Sequence, residues 1–143
     1  MKRISIILII LLLFLVLLFI SLYKIPVFVG DDKFGYTYVL VSPFNSDENK
    51  ILFLLQKLSA LSESETEFDK IMTFQKVVIQ GDVLRIYMSG ESEASSSYNE
   101  MRMIEQLKEL IRNNFDYIKK MFIIDDGKIF KHIDVRFPII IED

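Results

Sequence analysis

The chain has 143 residues, no cysteine, a single histidine and a formal net charge of −3. That length suits one folded domain plus a terminal segment, and zero cysteines argue against a disulfide framework, a thiolate metal site or a lipid-modified cysteine. Lys2, Arg3 and Lys24 are the only charges within 1–24, so the remainder carries −6, and an acidic domain without a basic stripe argues against a nucleic-acid partner.

Ile4 to Tyr23 reads ISIILIILLLFLVLLFISLY, uncharged, with Ser5 and Ser21 as its only clearly polar residues besides the Tyr23 hydroxyl. A bilayer core of about 30 Å takes about 20 apolar residues in a helix. The run predicts one transmembrane helix within an anchor at 1–24. With Lys2 and Arg3 before it, the N-terminus is expected in the cytoplasm and the rest of the chain outside, on the bacterial cytoplasmic (inner) membrane. A secretory signal cleaved near Ser21 is the alternative, but its apolar core is usually about 7–15 residues and ends in an Ala-x-Ala-like site, which is lacking here.

Ile25 to Phe34 (25–34) holds Pro26, Gly30, Asp31 and Asp32 and reads as a linker or short extended lead-in to a domain at 35–143. Tyr36 to Val41 is β-branched and aromatic and reads as a first strand. Ser46 or Asp47 caps a helix to about Leu61, with Ile51, Leu54, Leu55, Leu58 and Leu61 on one face. Ser62 to Lys70 is a polar, acidic loop. Thr73 to Gln80 and Asp82 to Ser89 form a hairpin around Gly81. Gly90 to Ser97 is a second polar loop. Ser97 with Glu100 fits a capping box for a helix to about Asn113. Met103, Ile104, Leu107, Leu110 and Ile111 form its apolar stripe, with Arg102, Glu105, Lys108, Glu109 and Arg112 on a solvated face. Lys119 to Ile124 is a fourth strand, Asp125-Asp126-Gly127 a type I′ turn, and Lys128 to Val135 a returning fifth strand. Pro138 makes the last stretch an edge strand or irregular. The order β-α-β-β-α-β-β predicts an α+β two-layer sandwich, two helices on one face of a small mixed sheet.

In that order the segments TYVLV, ILFLLQKL, SETEF, KVVIQGDVLRIYMS, SSSYNEMRMIEQL, KKMFIIDDGK and HIDVRFP resemble the GerMN domain of bacterial sporulation and germination proteins. The resemblance covers most of the chain from Tyr36 onward. It implies an extracytoplasmic (periplasmic) assembly or scaffold module of the cell envelope, with other envelope proteins or copies of itself as partners. A module that binds a small molecule or cell-wall fragment is the rival reading.

Catalytic signatures are sparse. His132 lies two residues from Asp134 and reads as a surface pair, no triad can be assembled, and no GxGxxG or Walker sequence occurs. No enzyme activity, cofactor or metal is expected. Tracing the elements up and down brings Glu63, Glu65, Glu67 and Asp69 to one end with Glu91, Glu93, Asp125 and Asp126, beside Asp31 and Asp32. These are solvated loops or, functionally, an acidic end for a divalent cation or basic partner. Leu52 and Phe53 lie just off the stripe of the first helix. They either widen the buried face or contact a partner.

Overall fold

The computed structural model of the protein describes residues 2–18, 21–31, 33–92 and 96–141. Helix α1 covers Lys2–Leu18, 17 residues, and strand β1 takes Ser21–Phe28. Among the described residues no helix is long and apolar enough to cross a membrane. The expected transmembrane helix over 1–24 is therefore not formed. At 1.5 Å per residue α1 is about 26 Å long, and the end of the apolar run goes into a strand instead. The cause is cross-strand pairing. Leu22 faces Leu40, Tyr23 faces Val39 and Ile25 faces Thr37 on β2 (Phe34–Val41). The stretch 25–34 thus holds the second half of β1 and a turn, in which the Val29 N–H donates to the Lys33 carbonyl at 2.8 Å.

Helix α2 (Asp47–Ser59) begins where Ser46 Oγ accepts from the Asn49 N–H at 3.3 Å. Its buried residues are Ile51, Leu54, Leu55 and Leu58, one face at helical spacing. Strands β3 (Thr73–Gln80) and β4 (Val83–Ser89) pair antiparallel, with Gln80 opposite Val83. The loop is Gly81-Asp82. Of these two residues only Gly81 has positive φ, +63°, as the first position of a type II′ turn requires. Helix α3 (Ser97–Asn114) then carries the chain back so that β5 (Lys120–Ile124) lies parallel to β4, a pairing that needs such a crossover. Strand β6 (Ile139–Ile140) follows Pro138 and pairs antiparallel with β5 at the sheet edge.

The main sheet is mixed, in the order β3-β4-β5-β6, and β1–β2 forms a separate two-stranded ribbon. The α+β class holds, but the expected first strand belongs to the ribbon rather than to the main sheet. The expected fifth strand is also absent: residues 128–135 are irregular, although Ile129, Phe130 and Val135 are buried. Asp125-Asp126-Gly127 therefore closes no hairpin. Instead Asp125 Oδ2 accepts from the N–H groups of Ile129 and Phe130 at 3.3 and 3.1 Å.

Helix α2 packs against β3, and α3 against β1. One core cluster joins Ile25 and Val41 of the ribbon to both helices and to Leu84, Ile86, Met121 and Ile123 of the sheet. The α3 stripe of Met103, Ile104, Leu107, Leu110 and Ile111 is buried as its spacing predicts. The buried sector is wider than that stripe, because Glu100, Gln106 and Glu109 are buried too.

Candidate functional site

Strands β4 and β5 are parallel, so the loops after Ser89 and after Ile124 leave from one end of the sheet. Thr73 faces Ser89, so the loop that enters β3 lies there as well. The Phe28 N–H donates to the Glu65 carbonyl at 3.0 Å, which brings the ribbon turn to the same loop. The acidic loops are thus neighbours, but most of their carboxylates have local partners. Glu65 accepts from the N–H and Oγ of Ser62 at 3.2 and 2.6 Å. Glu67 accepts from Arg102 Nε at 2.6 Å. Glu91 lies 3.9 Å from Lys131 Nζ, and Asp125 holds the turn described above. Glu63 and Asp69 line a shallow cleft with Phe68 and Ile71, and Asp126 is exposed. Glu93 and Asp32 lie outside the described residues. Among the described residues no group of three His, Cys, Asp or Glu side chains could hold a metal ion.

Arg102 organises one side of this end. Its guanidinium lies 3.8 Å from the centroid of the Phe28 ring and 5.6 Å from that of Tyr98. It also donates to the Asp31 carbonyl. Beside it Phe28, Phe34, Tyr98 and Met101 line an open, largely apolar cleft of about 270 Å³, with Asp31 and Glu105 at its margin. The cation–π contact and the ion pair together fix Arg102, which sequence spacing placed on a solvated face.

Glu100 is fully buried. Ser96, not Ser97, caps α3, with Oγ accepting from the Asn99 N–H at 3.1 Å, so Glu100 serves no capping box. Its two oxygens accept instead from the N–H groups of Lys131, His132 and Ile133 at 2.8, 2.9 and 2.8 Å. His132 Nδ1 lies 2.9 Å from the same carboxylate. Burial pushes the Glu100 carboxyl up, but these donors outweigh it and hold the group below the ordinary glutamate range. The carboxylate thus replaces a strand ladder for residues 131–133. It also breaks the expected His132–Asp134 pairing: Asp134 binds Arg136 instead.

The ribbon is fastened by polar side chains of α3. Asn114 accepts from the Lys24 N–H at 2.8 Å and donates to the Lys24 carbonyl at 2.7 Å. Gln106 Nε2 donates to the carbonyls of Pro26 and Glu65, both at 2.9 Å, and its oxygen accepts from Thr66 Oγ1 at 3.0 Å. Tyr36 donates to Glu109, which is also bound by Arg112 and Asn113. Burial raises the Glu109 carboxyl, and these partners bring it below the ordinary range. On the outer side of the ribbon Leu22, Tyr36, Tyr38 and Leu40 are exposed. Leu52 and Phe53 are each half-buried and pack partly on the core, and Lys57 Nζ sits 5.3 Å from the Phe53 ring centroid.

No family model and no curated protein matches the chain. Among solved structures, the tandem GerMN domains of the sporulation protein GerM from Bacillus subtilis match it with a TM-score of 0.59 at 14% identity, over 87% of this chain. The chain has a GerMN-like fold. It spans 46% of that tandem structure. A 2.5 Å crystal structure of a candidate lipoprotein from Clostridium perfringens matches with a TM-score of 0.55 at 20% identity, over 87% of this chain and 89% of that one.

Two features of this GerMN-like domain were hidden in its sequence. The start of β1, Ser21 to Tyr23, lies in a uniformly apolar run that has no period to mark a strand, and the rest of β1 falls largely in the stretch that reads as a linker or extended lead-in. The Glu100 contacts join residues 31 to 33 positions apart. Only the burial of an acidic residue inside a helix would have signalled them.

Proposed function

We propose that this GerMN-like domain works outside the cytoplasm as a protein-interaction and assembly module of the bacterial cell envelope. Its fold is similar to those of a sporulation protein and a candidate lipoprotein, which supports the setting. The observation that carries the interaction role is the ribbon, where Leu22, Tyr36, Tyr38 and Leu40 leave apolar surface uncovered. Contiguous apolar surface of this kind marks contact sites. The chemistry of the buried carboxylates adds support, since both oxygens of Glu100 and of Glu109 are taken by internal donors.

A reporter that works only outside the cytoplasm, fused after Asp143, tests the setting: it should be active, and an inactive reporter on a stable fusion refutes it. Amine-reactive crosslinking of the full chain in intact cells tests the role. Discrete adducts are expected, and their absence at native abundance rejects an assembly module. The aromatic cleft of Phe28, Phe34 and Tyr98 favours a second reading, a small-ligand site. Under that reading Tyr98→Ala abolishes ligand binding and leaves the adducts unchanged.

A further inference from the structure

Among the described residues, the four strand edges differ in how they are protected. The outer edge of β1 is covered by Asn114, Gln106 and the Glu65 carbonyl. Strand β3 has a register shift between Phe74 and Lys76, and Lys76 brings a charge. Strand β6 has two residues and follows Pro138. These are the ordinary defences of an edge against further pairing. Strand β2 has none of them. Phe34 to Val41 reads FGYTYVLV, eight residues without charge or proline, in unbroken register with β1.

The direction of its free hydrogen-bonding groups follows from β1. Lys24 and Phe28 point their backbone groups away from β2, toward Asn114 and Glu65. Residues 22, 24, 26 and 28 therefore form the wide, non-bonded pairs of the ribbon. Their partners Leu40, Tyr38, Tyr36 and Phe34 must then point their N–H and carbonyl groups outward. Among the described residues, no hydrogen bond reaches those groups of Tyr36, Tyr38 or Leu40.

We infer that the outer edge of β2 pairs antiparallel with the same edge of a second copy of this chain, about a two-fold axis at Thr37. The strand is self-complementary in that register. Tyr36 meets Tyr38 of the second copy and Phe34 meets Leu40, on the face where Tyr36, Tyr38 and Leu40 are exposed and Phe34 is half-buried in the single chain. On the other face Thr37 meets Thr37 and Gly35 meets Val39. Aromatic and Thr–Thr pairs of this kind favour antiparallel neighbours. With no charge on the strand, no like charges are opposed. The outward groups at 36 and 38 fall opposite each other as a bonded pair, so both ribbons merge into one four-stranded sheet. A two-fold contact uses one patch twice and closes. This inference rests on the assembly role proposed above and names its interface and partner.

The chain has no cysteine, so a single one can report the axis. In the proposed register the two Thr37 Cα atoms are about 4.5 Å apart, within disulfide reach. The full chain bearing Thr37→Cys should form a disulfide dimer under mild oxidation, in preference to Tyr38→Cys. Gln75→Cys on β3 should remain monomeric. Adding Tyr38→Pro, which removes an outward N–H, or Tyr38→Lys should cut dimer formation by about tenfold or more, a loss of about 1.4 kcal/mol in pairing. Monomeric Thr37→Cys, dimerisation no greater than that of Gln75→Cys, or dimerisation indifferent to both Tyr38 variants would overturn the inference. If amine crosslinking then still yields adducts with other proteins, the assembly role survives and only the self-pairing falls. If it yields none, both fall.

Discussion

The β3–β4 hairpin turns on two residues and lays Leu84, Ile86 and Met88 on the core, while Val83, Arg85, Tyr87 and Ser89 alternate outward. The β1–β2 hairpin has strands of eight residues and a longer turn, and it reaches the core mainly through Tyr23, Ile25, Val39 and Val41. The first is held by the hydrophobic face of a sheet. The second is fastened along its edge by amide side chains of a helix. One hairpin is committed to the interior on its whole inner face, and the other has an outer edge, and an outer face around Leu22, Tyr38 and Leu40, that remain open. Local strand pairing alone therefore does not tell whether a hairpin is scaffold or contact surface. That depends on what covers its edges.

The largest effect should come from breaking what the two hairpins share. Leu107 is fully buried, and Leu107→Asp places an unpaired carboxylate there at a cost of about 4 kcal/mol or more. Small domains have about 5–15 kcal/mol in total, so the cooperative melt by circular dichroism should be lost or shifted far down. An unaltered melt would disprove the core face of α3.

Glu100→Ala should follow, with a loss on the order of 3 kcal/mol as several donors lose a charged acceptor. Amide exchange should accelerate at Lys131, His132 and Ile133 but not in either hairpin. The folded-state carboxyl is depressed below its ordinary 4.5. Its stabilisation is therefore complete above about pH 4.5 and is lost as the pH falls through the lower folded value. Wild-type and variant stabilities should converge in acid; a gap that stays constant to strongly acidic pH contradicts the role given to Glu100.

Gln106→Ala separates the hairpins directly. It leaves the Pro26 carbonyl without its donor and the Thr66 hydroxyl without its acceptor, at about 2 kcal/mol, and should speed exchange across β1–β2 while β3–β4 keeps its protection. Equal acceleration in both would mean that the ribbon has no fastening of its own. The smallest effect on stability is expected for Tyr38→Lys, within about 0.5 kcal/mol in denaturant titrations. A much larger loss would show that the outer face of the ribbon is structural.

How much of this was legible depends on the range of the forces involved. Helices α2 and α3 and the β3–β4 hairpin follow from local period and from Gly81, and each stands where its pattern puts it. The cap of α3 is Ser96 rather than Ser97, because Glu100, whose spacing from Ser97 fits a capping box, turns inward to residues 131–133. Residues 128–135 have the composition of a strand, but their N–H groups go to Asp125 and Glu100 rather than to a neighbouring strand. The end of helix α1 and the start of β1 lie inside one apolar run, where a residue type that suits a helix in lipid equally suits a strand in a core. For the acidic end, topology brings the loops together, whereas the local partners of Glu65, Glu67 and Asp125 depend on side-chain geometry that spacing does not encode.

The fastening of β1 on both flanks also has a mechanical consequence. Beyond residues 19 and 20 it is the element that connects α1 to the rest of the chain. A load drawn through α1 along the strand axis would meet the ladder to β2 and the bonds to Asn114, Gln106 and Glu65 as resistances in parallel, sharing the load. A load drawn sideways would break them one after another. The ribbon thus acts as a strain relief for the core behind it, stiff to tension along its length and weak to peeling.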